Sequence, residues 1–344
     1  MTTKADDTDT DSEYDVVVIG GGPAGLTSAL YTTRLGHDTA VFDRGGGRAA
    51  MMQDTHNVLG IPESVSGNEL LESAIDQLEG YGAEYRQAFV TAVEHAAEVS
   101  RKFRLETTAG TAFTDRVVLA TGLTDGRPEP PLPRTGRGLH YCLHCDAYMF
   151  VDESVYVMGH GESAAHVAMI MLNFTDDVDL LLRDAEPEWS DETDRQLRAH
   201  PVDIVEAEVV GVNNDSDGWL ESLEFADGSR REYTGGFAMY GADYNNELAE
   251  SLGVELDTDG AVLVDDHGRT NVEGVHAVGD ITPGHNQIPV AMGQGARAGL
   301  AIHKDLRTYP KSLSELEGEI DSADVPALSD ALRSHANERA RADD

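Results

Sequence analysis

The chain has 344 residues, of which 40% are hydrophobic, enough to build two domains of ordinary size. Its 63 acidic and 25 basic residues give a formal net charge of −38, and the acids are spread along the whole chain, which disfavours binding to nucleic acid. No run approaches the roughly 20 apolar residues of a membrane span, and residues 1–13 are acidic and polar instead of a secretion signal, so we expect a cytoplasmic protein with no membrane contact.

The acidic surface also indicates the salt in which the protein works. A charge of −38 causes strong self-repulsion in dilute buffer. In molar salt the Debye length falls to about 3 Å, and the repulsion between carboxylates is screened. Lysine is rare, since Lys4, Lys102, Lys304 and Lys311 are the only ones, and arginine supplies nearly all the positive charge. We therefore expect the chain to come from a halophile.

The first predicted elements are a strand over 16–19, a glycine-rich turn and a helix. The turn fits the pattern G-x-G-x-x-G, whose glycines allow a tight turn, close approach of a pyrophosphate and close packing of the helix on the strand. The next apolar run, 39–42, ends about 20 residues on at an acid suited to bind a ribose hydroxyl. The dinucleotide-binding residues predicted here are Gly20, Gly22, Pro23, Ala24, Gly25 and Asp43.

A capping box at Ser66 and Glu69 then predicts a packing helix, and the chain's two cysteines follow as Cys142 and Cys145. A disulfide scaffold is excluded in a chain this long. A structural zinc site needs four ligands, and the additional candidates, His140 and His144, lie too close in sequence to complete a tetrahedron. We interpret the cysteines as a redox pair, and we expect no metal.

A second glycine-rich turn follows the predicted strand 155–158 and opens a helix, with Ala164 in the place of the last glycine. Two such turns predict either two bound dinucleotides or one bound dinucleotide and one vestigial site. A third signal is an apolar strand over 274–278 that ends in Gly279-Asp280 and is followed by a helical pattern from Pro289. A ligand contact is expected where such a strand ends, at the carboxyl edge of a sheet.

Read together, these motifs resemble those of low-molecular-weight thioredoxin reductases, in the same order, over about residues 14–308. The resemblance is carried by Gly20–Gly25, Gly46-Gly47, His56–Gly60, Leu119–Gly122, Cys142-x-x-Cys145-Asp146, Gly159-x-Gly161-x-x-Ala164 and Gly279-Asp280. It implies an α/β fold of two Rossmann-like three-layer domains. An FAD domain, 12–127 plus 246–310, is interrupted by a nicotinamide-type domain, 128–245, that carries the dithiol. Outside them lie an acidic extension, 1–11, and an acidic tail, 311–344.

The resemblance also implies roles for single residues. Cys145 would face the flavin, Cys142 would attack the partner disulfide, and Asp146 would transfer protons. Asp280 would bind the ribityl chain, Gln287 would lie beside the flavin ring, and Asn57 belongs to the segment at the flavin edge. The expected FAD set is completed by Arg44, Gly47, Arg48, Thr121, Gly122 and Gly279. The expected nicotinamide set is Gly159, Gly161, Ser163, Ala164 and Arg183. Arg48 departs from the family, which usually has Gln there.

The electron donor is left open by a second departure. Family members that use NADPH have His-Arg-Arg and a further Arg after the second strand of the nicotinamide domain. This chain has a predicted apolar strand over 178–181, followed by Leu182-Arg183-Asp184 and then acids. Arg183 keeps one of the expected cations, whereas an acid beside a 2′-phosphate would repel it. NADPH and NADH therefore both stay open as the donor.

The expected function is an FAD-dependent disulfide reductase that passes electrons to thioredoxin, a similar protein or a small disulfide. Alternatives are a flavin dithiol oxidase resembling fungal oxidases and a ferredoxin-linked reductase, both without nicotinamide. A non-catalytic flavoprotein is a third, against which the intact Cys142, Cys145 and Asp146 argue. We also expect a homodimer. The spacing of Leu313, Leu316 and the apolar residues after them in the tail predicts a surface or dimer-contact helix, although disorder is an alternative.

Raising KCl from about 0.1 M to about 2 M should raise both the melting temperature and the activity, because the repulsion between carboxylates is screened. Differential scanning fluorimetry and a disulfide-reduction assay across the range measure both effects. Sucrose at equal osmolality is the control, since it leaves the charges unscreened. A melting temperature that does not change with KCl, or that rises equally with sucrose, would contradict the electrostatic explanation.

Overall fold

The computed structural model describes residues 11–96, 101–316, 320–322, 325 and 328–342. The chain divides into two compact units. The first unit comprises Met1–Ala50, Gly67–Leu123 and Tyr244–Asp344, and the second comprises Met51–Ser66 and Thr124–Asp243. The long insertion therefore begins and ends within four residues of the predicted 128 and 245, whereas the short segment 51–66, expected in the first domain, groups with the second unit.

The secondary structure alternates strands and helices in each unit. The strands are β1 (Ser12–Ile19), β2 (Thr39–Asp43), β3 (Glu84–Gln87), β4 (Val90–His95), β5 (Phe103–Thr107), β6 (Gly110–Leu119), β7 (Leu123–Asp125), β8 (Arg134–Thr135), β9 (Gly138–Leu139), β10 (Val155–Met158), β11 (Val178–Leu181), β12 (Val202–Val205), β13 (Val209–Asn214), β14 (Leu220–Phe225), β15 (Arg230–Glu232), β16 (Gly235–Ala238), β17 (Ala242–Tyr244) and β18 (Val275–Ala277). The α-helices are α1 (Pro23–Arg34), α2 (Gly67–Gly80), α3 (Leu143–Asp146), α4 (Glu162–Met171), α5 (Asp191–Ala199), α6 (Glu247–Ser251), α7 (Ile288–Leu306) and α8 (Asp330–Ala342). Short 3₁₀ helices cover Ala49–Met51, Ala147–Phe150 and Gly279–Ile281.

The first unit is built on a sheet in the order β3-β2-β1-β6-β5-β4, with β18 also paired to β6. The strands β1, β2, β3, β6 and β18 are parallel, whereas β4 and β5 form an antiparallel extension. Side chains of β1 are buried on both faces, since Val17 and Ile19 join one apolar cluster while Val16 and Val18 join another. A parallel strand covered on both faces reads as a continuous apolar run, which is why 16–19 was recognisable in the sequence.

Helix α7 packs closely on α1 because of two glycines. A Cβ on Gly295 would overlap the carbonyl oxygen of Ala24, and a Cβ on Gly299 would lie 2.7 Å from the Cβ of Tyr31. The α7 side chain Gln294 accepts a hydrogen bond of 2.7 Å from the backbone N–H of Gly279. Helix α7 therefore fixes the segment that follows β18 against the start of α1.

The second unit contains a parallel sheet in the order β12-β11-β10-β16 and a separate antiparallel sheet, β13-β14-β15. In β10, Val155 and Val157 pack into the cluster that includes α4, while Tyr156 and Met158 pack into the cluster that includes β14. The predicted strands 155–158 and 178–181 are confirmed with the same bounds. The predicted fold class, with Rossmann-like parallel sheets, is confirmed in both units.

The acidic tail differs from the spacing-based prediction. Leu313 lies in a turn and is exposed, and the helix, α8, begins only at Asp330. A Cβ on Gly82 would lie 2.5 Å from the Cβ of Ala331, and the ring of His335 lies 4.1 Å from that of Tyr81. The tail helix therefore packs on the first unit. Across the described residues, no helix combines the length and the apolar character needed to cross a bilayer.

His276 is a polar residue buried in the first unit. It lies in β18, is 2% exposed, and has no hydrogen-bond partner for either ring nitrogen among the described residues. Burial, reinforced by the charge of Arg269, lowers the pKa of His276 from 6.5 to about 4. Because the folded-state pKa lies below the unfolded one, the neutral ring's stabilisation is complete above about pH 6.5 and is lost as the pH falls toward 4.

In the wild type, His276 should lower the free energy of unfolding by about 2 kcal/mol between about pH 7.5 and about pH 5. In His276→Leu this part of the pH-dependent loss should be absent. Urea unfolding of the first unit at the two pH values, in constant salt, gives the difference in free energy of unfolding. The matched control is His267→Leu, because His267 is exposed on the neighbouring turn and should leave the pH dependence as in the wild type. An unchanged difference in His276→Leu would contradict the assignment.

Candidate active site

The first glycine-rich turn joins β1 to α1, and at two of its positions any side chain would clash with the backbone. A Cβ on Gly20, where φ is +109°, would overlap the carbonyl oxygen of Ala120, and one on Gly25 would overlap that of Gly20. A Cβ on Gly22, in contrast, would meet no atom within 4 Å. Pro23 begins the helix and needs no N–H partner. The turn therefore leaves open space at the helix N-terminus, where a pyrophosphate binds in this type of unit.

Asp43 ends β2 beside this turn. A Cβ on Gly21 would lie 2.9 Å from its Cγ, so the carboxylate lies directly against the turn. The hydroxyl of Tyr85 donates a 3.0 Å hydrogen bond to Asp43 Oδ2. Burial, followed by the charge of Asp43, raises the pKa of Tyr85, which therefore stays a protonated donor. This is the place of a ribose-binding acid, and the neighbouring Arg44 is exposed.

Arg48 and Asp280 come together although they are far apart in sequence. Arg48 Nη1 donates to Asp280 Oδ2 at 3.4 Å, and the two side chains are 25% and 21% exposed. Gly279 has φ +77°, and a Cβ there would lie 2.8 Å from the Cβ of Ala24. Asp280 is thus held close to the start of α1, the arrangement expected of a ligand contact at the carboxyl edge of the sheet. Gly47, in the loop before Arg48, has φ +92° and open space around it.

The remaining predicted FAD residues differ in their surroundings. The Thr121 hydroxyl donates to the carbonyl of Asn245 at 2.7 Å, and Asn245 returns bonds to the carbonyls of Thr121 and Gly122, which locks the segment after β6. Gln287 is the N-cap residue of α7. Asn57 is exposed and groups with the second unit.

The two cysteines form a disulfide in the second unit, with 5.3 Å between their Cα atoms. Cys142 is the N-cap of α3, and the backbone N–H of Cys145 donates to Cys142 Sγ at 3.1 Å. Both cysteines are partly exposed. The N–H directed at Cys142 Sγ would stabilise a thiolate on that sulfur after reduction.

Asp146, next to Cys145, lies between two histidines. His140 Nδ1 is 2.7 Å from Asp146 Oδ2, and His56 Nδ1 is 3.3 Å from Asp146 Oδ1. The side chains of His140, His56 and Asp146 are 6%, 14% and 19% exposed. Each carboxylate oxygen thus has its own imidazole partner in a largely buried setting. We refer to these three residues as the histidine–aspartate cluster.

Sequence reasoning missed both histidines of the cluster. His140 was considered only as a zinc ligand, and its position six residues before Asp146 was the one available signal. His56 is 90 residues from Asp146, and no local pattern could have joined them.

A cavity of about 250 Å³ adjoins the dithiol. Two of its lining residues, Leu143 and His144, lie between the cysteines in the chain, and His144 is exposed there. The other lining residues are Ala147, Tyr148, Ile170 and Phe174. The lining is mostly apolar, which suits an apolar part of a substrate whose disulfide reacts next to it.

The second glycine-rich turn repeats the geometry of the first. A Cβ on Gly159, where φ is +147°, would lie 2.7 Å from the carbonyl oxygen of Met239 and 2.8 Å from the Cβ of Ala164. A Cβ on Gly161 would meet no atom within 4 Å, and Ser163 is exposed in the first turn of α4. The pyrophosphate space is therefore kept. Arg183, the predicted phosphate ligand, is instead buried, and its Nε donates to Glu208 Oε1 at 2.7 Å.

Comparison with known proteins adds independent information. The sequence profile described as pyridine nucleotide-disulphide oxidoreductase matches residues 14–295. The chain is 30% identical to the thioredoxin reductase of Aquifex aeolicus over 313 residues, covering 86% of this chain and 94% of that one. Among solved structures, HlmI aligns with a TM-score of 0.78 at 30% identity over 85% of this chain and 92% of its own. The thioredoxin reductase of Streptococcus pyogenes aligns with a TM-score of 0.77 at 26% identity, over 86% and 98%.

The open space at Gly22 generates a direct test. Gly22→Asp should lower the FAD content of the purified protein by about tenfold or more, because a carboxylate there would repel the pyrophosphate. Gly22→Ala is the matched control and should keep its FAD, since its methyl group meets no atom. Circular dichroism checks folding, and chromatography of the chromophore released on denaturation measures FAD. Full FAD content in a folded Gly22→Asp variant would show that the dinucleotide binds elsewhere.

Proposed function

The chain belongs to the pyridine nucleotide-disulphide oxidoreductase family and is of the thioredoxin-reductase type, and we propose that its Cys142–Cys145 pair reduces the disulfide of thioredoxin or a similar protein, using electrons from FAD. The observation that carries the proposal is a partly exposed disulfide followed directly by the histidine–aspartate cluster. We also propose that the protein acts in the cytoplasm, where dithiols are kept reduced, and as a homodimer, the commonest closed assembly.

The first unit fits FAD at three places. The space at Gly22 suits the pyrophosphate, Asp43 suits a ribose hydroxyl, and the Arg48–Asp280 pair lies at the edge where the ribityl chain and ring of the cofactor would be held. When bound, the flavin supplies the electron pair that opens the protein disulfide. Arg48 places a positive charge next to Asp280, where relatives usually have a neutral glutamine.

The thiol chemistry follows from the positions of the two sulfurs. Reduction breaks the S–S bond, adds two electrons and one proton, and leaves Cys142 as a thiolate and Cys145 as a thiol. Cys142, stabilised by the N–H of Cys145, attacks one sulfur of the partner disulfide, forms a mixed disulfide and releases the first partner thiolate. Cys145 then loses its proton and attacks Cys142 Sγ, which reforms the internal disulfide and releases the second partner thiolate.

We propose that Asp146 moves the protons in these steps. It directly follows Cys145 in α3, and the cysteine must lose a proton before it attacks while the departing partner thiolate must gain one. His140 and His56 hold the two carboxylate oxygens, which fixes the orientation of the carboxyl group. We assign both histidines as positioning residues.

A small disulfide is a second candidate substrate, favoured by the apolar cavity beside Leu143 and His144. A cavity of about 250 Å³ accepts a side chain or a small ring system, whereas a protein partner would use only its rim. The two substrates differ in the effect of Ile170→Glu, which places a charge in the cavity: it should block a small apolar disulfide and leave a protein disulfide largely reactive.

The cysteine roles predict different behaviour for two variants. Cys142→Ser and Cys145→Ser should each abolish the oxidation of dithionite-reduced enzyme by thioredoxin disulfide, because both an attacking and a resolving thiol are needed. Cys145→Ser alone should accumulate a mixed disulfide with thioredoxin on a non-reducing gel. Most of the wild-type rate in either variant would refute the dithiol mechanism, and trapping by Cys142→Ser in its place would reverse the two roles.

The histidine–aspartate cluster predicts a graded series. Asp146→Asn should slow the same single turnover by about 100-fold, as expected for loss of a proton-transferring group. His140→Ala should slow it by about tenfold and alter its pH profile, because Asp146 loses a hydrogen bond of 2.7 Å.

His140→Asn is the matched control for this series. Its amide nitrogen can replace Nδ1, so it should recover most of the rate and the wild-type pH profile. If His140→Ala folds and keeps the wild-type pH profile, His140 does not position Asp146.

A further inference from the structure

The side chain expected to bind a 2′-phosphate is already engaged. Arg183 follows β11, and its side chain is 6% exposed. Its Nε donates to Glu208 Oε1 at 2.7 Å, and its Nη1 is buried with no partner among the described residues. The same Glu208 oxygen accepts the backbone N–H of Val209 at 2.9 Å, so the carboxylate is fixed by two donors. The charge of Arg183 is therefore neutralised inside the second unit.

The backbone holds Arg183 in this buried position. Arg183 and Asp184 have φ values of +56° and +59°, which non-glycine residues adopt only when the surroundings require it. The N–H of Leu182 donates to Val205 O at 2.9 Å, and that of Asp184 donates to Glu206 O at 2.8 Å. Hydrogen bonds to the last residue of β12 and to the residue after it thus fix the turn on both sides of Arg183.

The described residues 184–188, which continue the loop, include three acids and no cation. The backbone N–H of Glu188 donates to the carbonyl of His160, inside the glycine-rich turn, at 2.7 Å. The loop therefore lies against the turn, and the acids Asp184, Glu186 and Glu188 are all exposed. Like charges repel a phosphate dianion strongly at short range.

The pyrophosphate cradle, in contrast, is intact. Gly159 and Ala164 keep the close approach of strand and helix, and Gly161 faces open space. In such units an acid at the end of the second strand suits a free ribose 2′-hydroxyl, whereas an accessible arginine suits a 2′-phosphate. The described residues of the loop offer the acid and bury the arginine.

From this combination we propose that Glu208, by pairing with Arg183, makes the second unit selective for a nicotinamide dinucleotide without a 2′-phosphate, the NADH class. The inference rests on the proposed function, because it concerns the donor of the same electron pair. It assigns Glu208 as the specificity-determining residue, and it places Arg183 in the wild-type protein outside the set of ligand-binding side chains.

Calorimetric binding to the FAD-loaded protein tests this without turnover. The probes are ADP-ribose and its 2′-phosphorylated form, which lack nicotinamide and cannot reduce the flavin. The wild type should bind ADP-ribose at least about tenfold more tightly than the 2′-phosphorylated form. Glu208→Gln frees Arg183 and should raise the affinity for the 2′-phosphorylated form about tenfold, with little change for ADP-ribose.

Two further variants separate this inference from simpler explanations. Glu186→Gln removes the same charge from an exposed position in the loop and should change both affinities by less than about threefold. Arg183→Ala in the wild-type background should leave the ratio of the two affinities unchanged, and this result stays informative if Glu208→Gln does not fold.

The inference is overturned if the wild type prefers the 2′-phosphorylated probe and Arg183→Ala abolishes that preference. It is also overturned if Glu208→Gln and Glu186→Gln behave alike, or if neither probe binds. None of these outcomes affects the proposed dithiol chemistry, which is tested separately by single turnover of dithionite-reduced enzyme. If the dithionite-reduced wild-type enzyme does not reduce thioredoxin disulfide, the proposed function is refuted whatever the probes show.

Discussion

Close contact between a strand and the helix that follows it is the steric constraint on which both units depend. In the first unit, a Cβ on Gly25 would overlap the carbonyl oxygen of Gly20. In the second, a Cβ on Gly159 would lie 2.8 Å from the Cβ of Ala164. Only small residues allow the helix N-terminus to approach the strand end, and that approach creates the open space at Gly22 and Gly161. The further contact of α7 with α1 then places Asp280 beside the first of these spaces.

At the FAD and dithiol sites, Asp43, Asp280 and Asp146 each have a hydrogen-bond partner, although the chain as a whole carries a large excess of acid. Asp43 accepts from Tyr85, Asp280 from Arg48, and Asp146 has an imidazole on each oxygen. Partly buried carboxylates need such partners, because desolvation disfavours their charged form. The pairing also fixes the direction of each carboxylate, which is what ligand binding and proton transfer require. At Glu208 the pairing has a different effect, since it engages Arg183 and keeps this cation from binding a ligand.

Local patterns predicted the strands next to the two glycine-rich turns, whereas the α/β fold class and the two-domain organisation were expected from the resemblance to thioredoxin reductases. The strands 155–158 and 178–181 were predicted with their observed bounds, because a strand buried on both faces is a short apolar run with sharp ends. The position of Asp43 followed from its distance along the chain after the first turn. The tail helix was misjudged, because apolar spacing over 313–332 does not show where a helix starts, and α8 begins only at Asp330.

Interactions between distant segments could not be predicted. Arg48 and Asp280 are 232 residues apart, and His56 and Asp146 are 90 apart. The pairing of Arg183 with Glu208 spans only 25 residues. It accompanies the positive φ values of Arg183 and Asp184, which no sequence pattern predicted. The individual candidates were therefore accessible from the sequence, whereas the partners that decide what each one does required the structure.

Electron exchange between the flavin and the Cys142–Cys145 pair is the step on which the proposed function depends. Anaerobic titration of the FAD-loaded protein with dithiothreitol, followed by flavin absorbance, tests it most directly, because this reductant enters through the protein disulfide. The wild-type flavin should be bleached, whereas the flavin of Cys142→Ser and of Cys145→Ser, loaded with the same amount of FAD, should stay oxidised. A wild-type flavin that stays oxidised, or equal bleaching in the two variants, would contradict it.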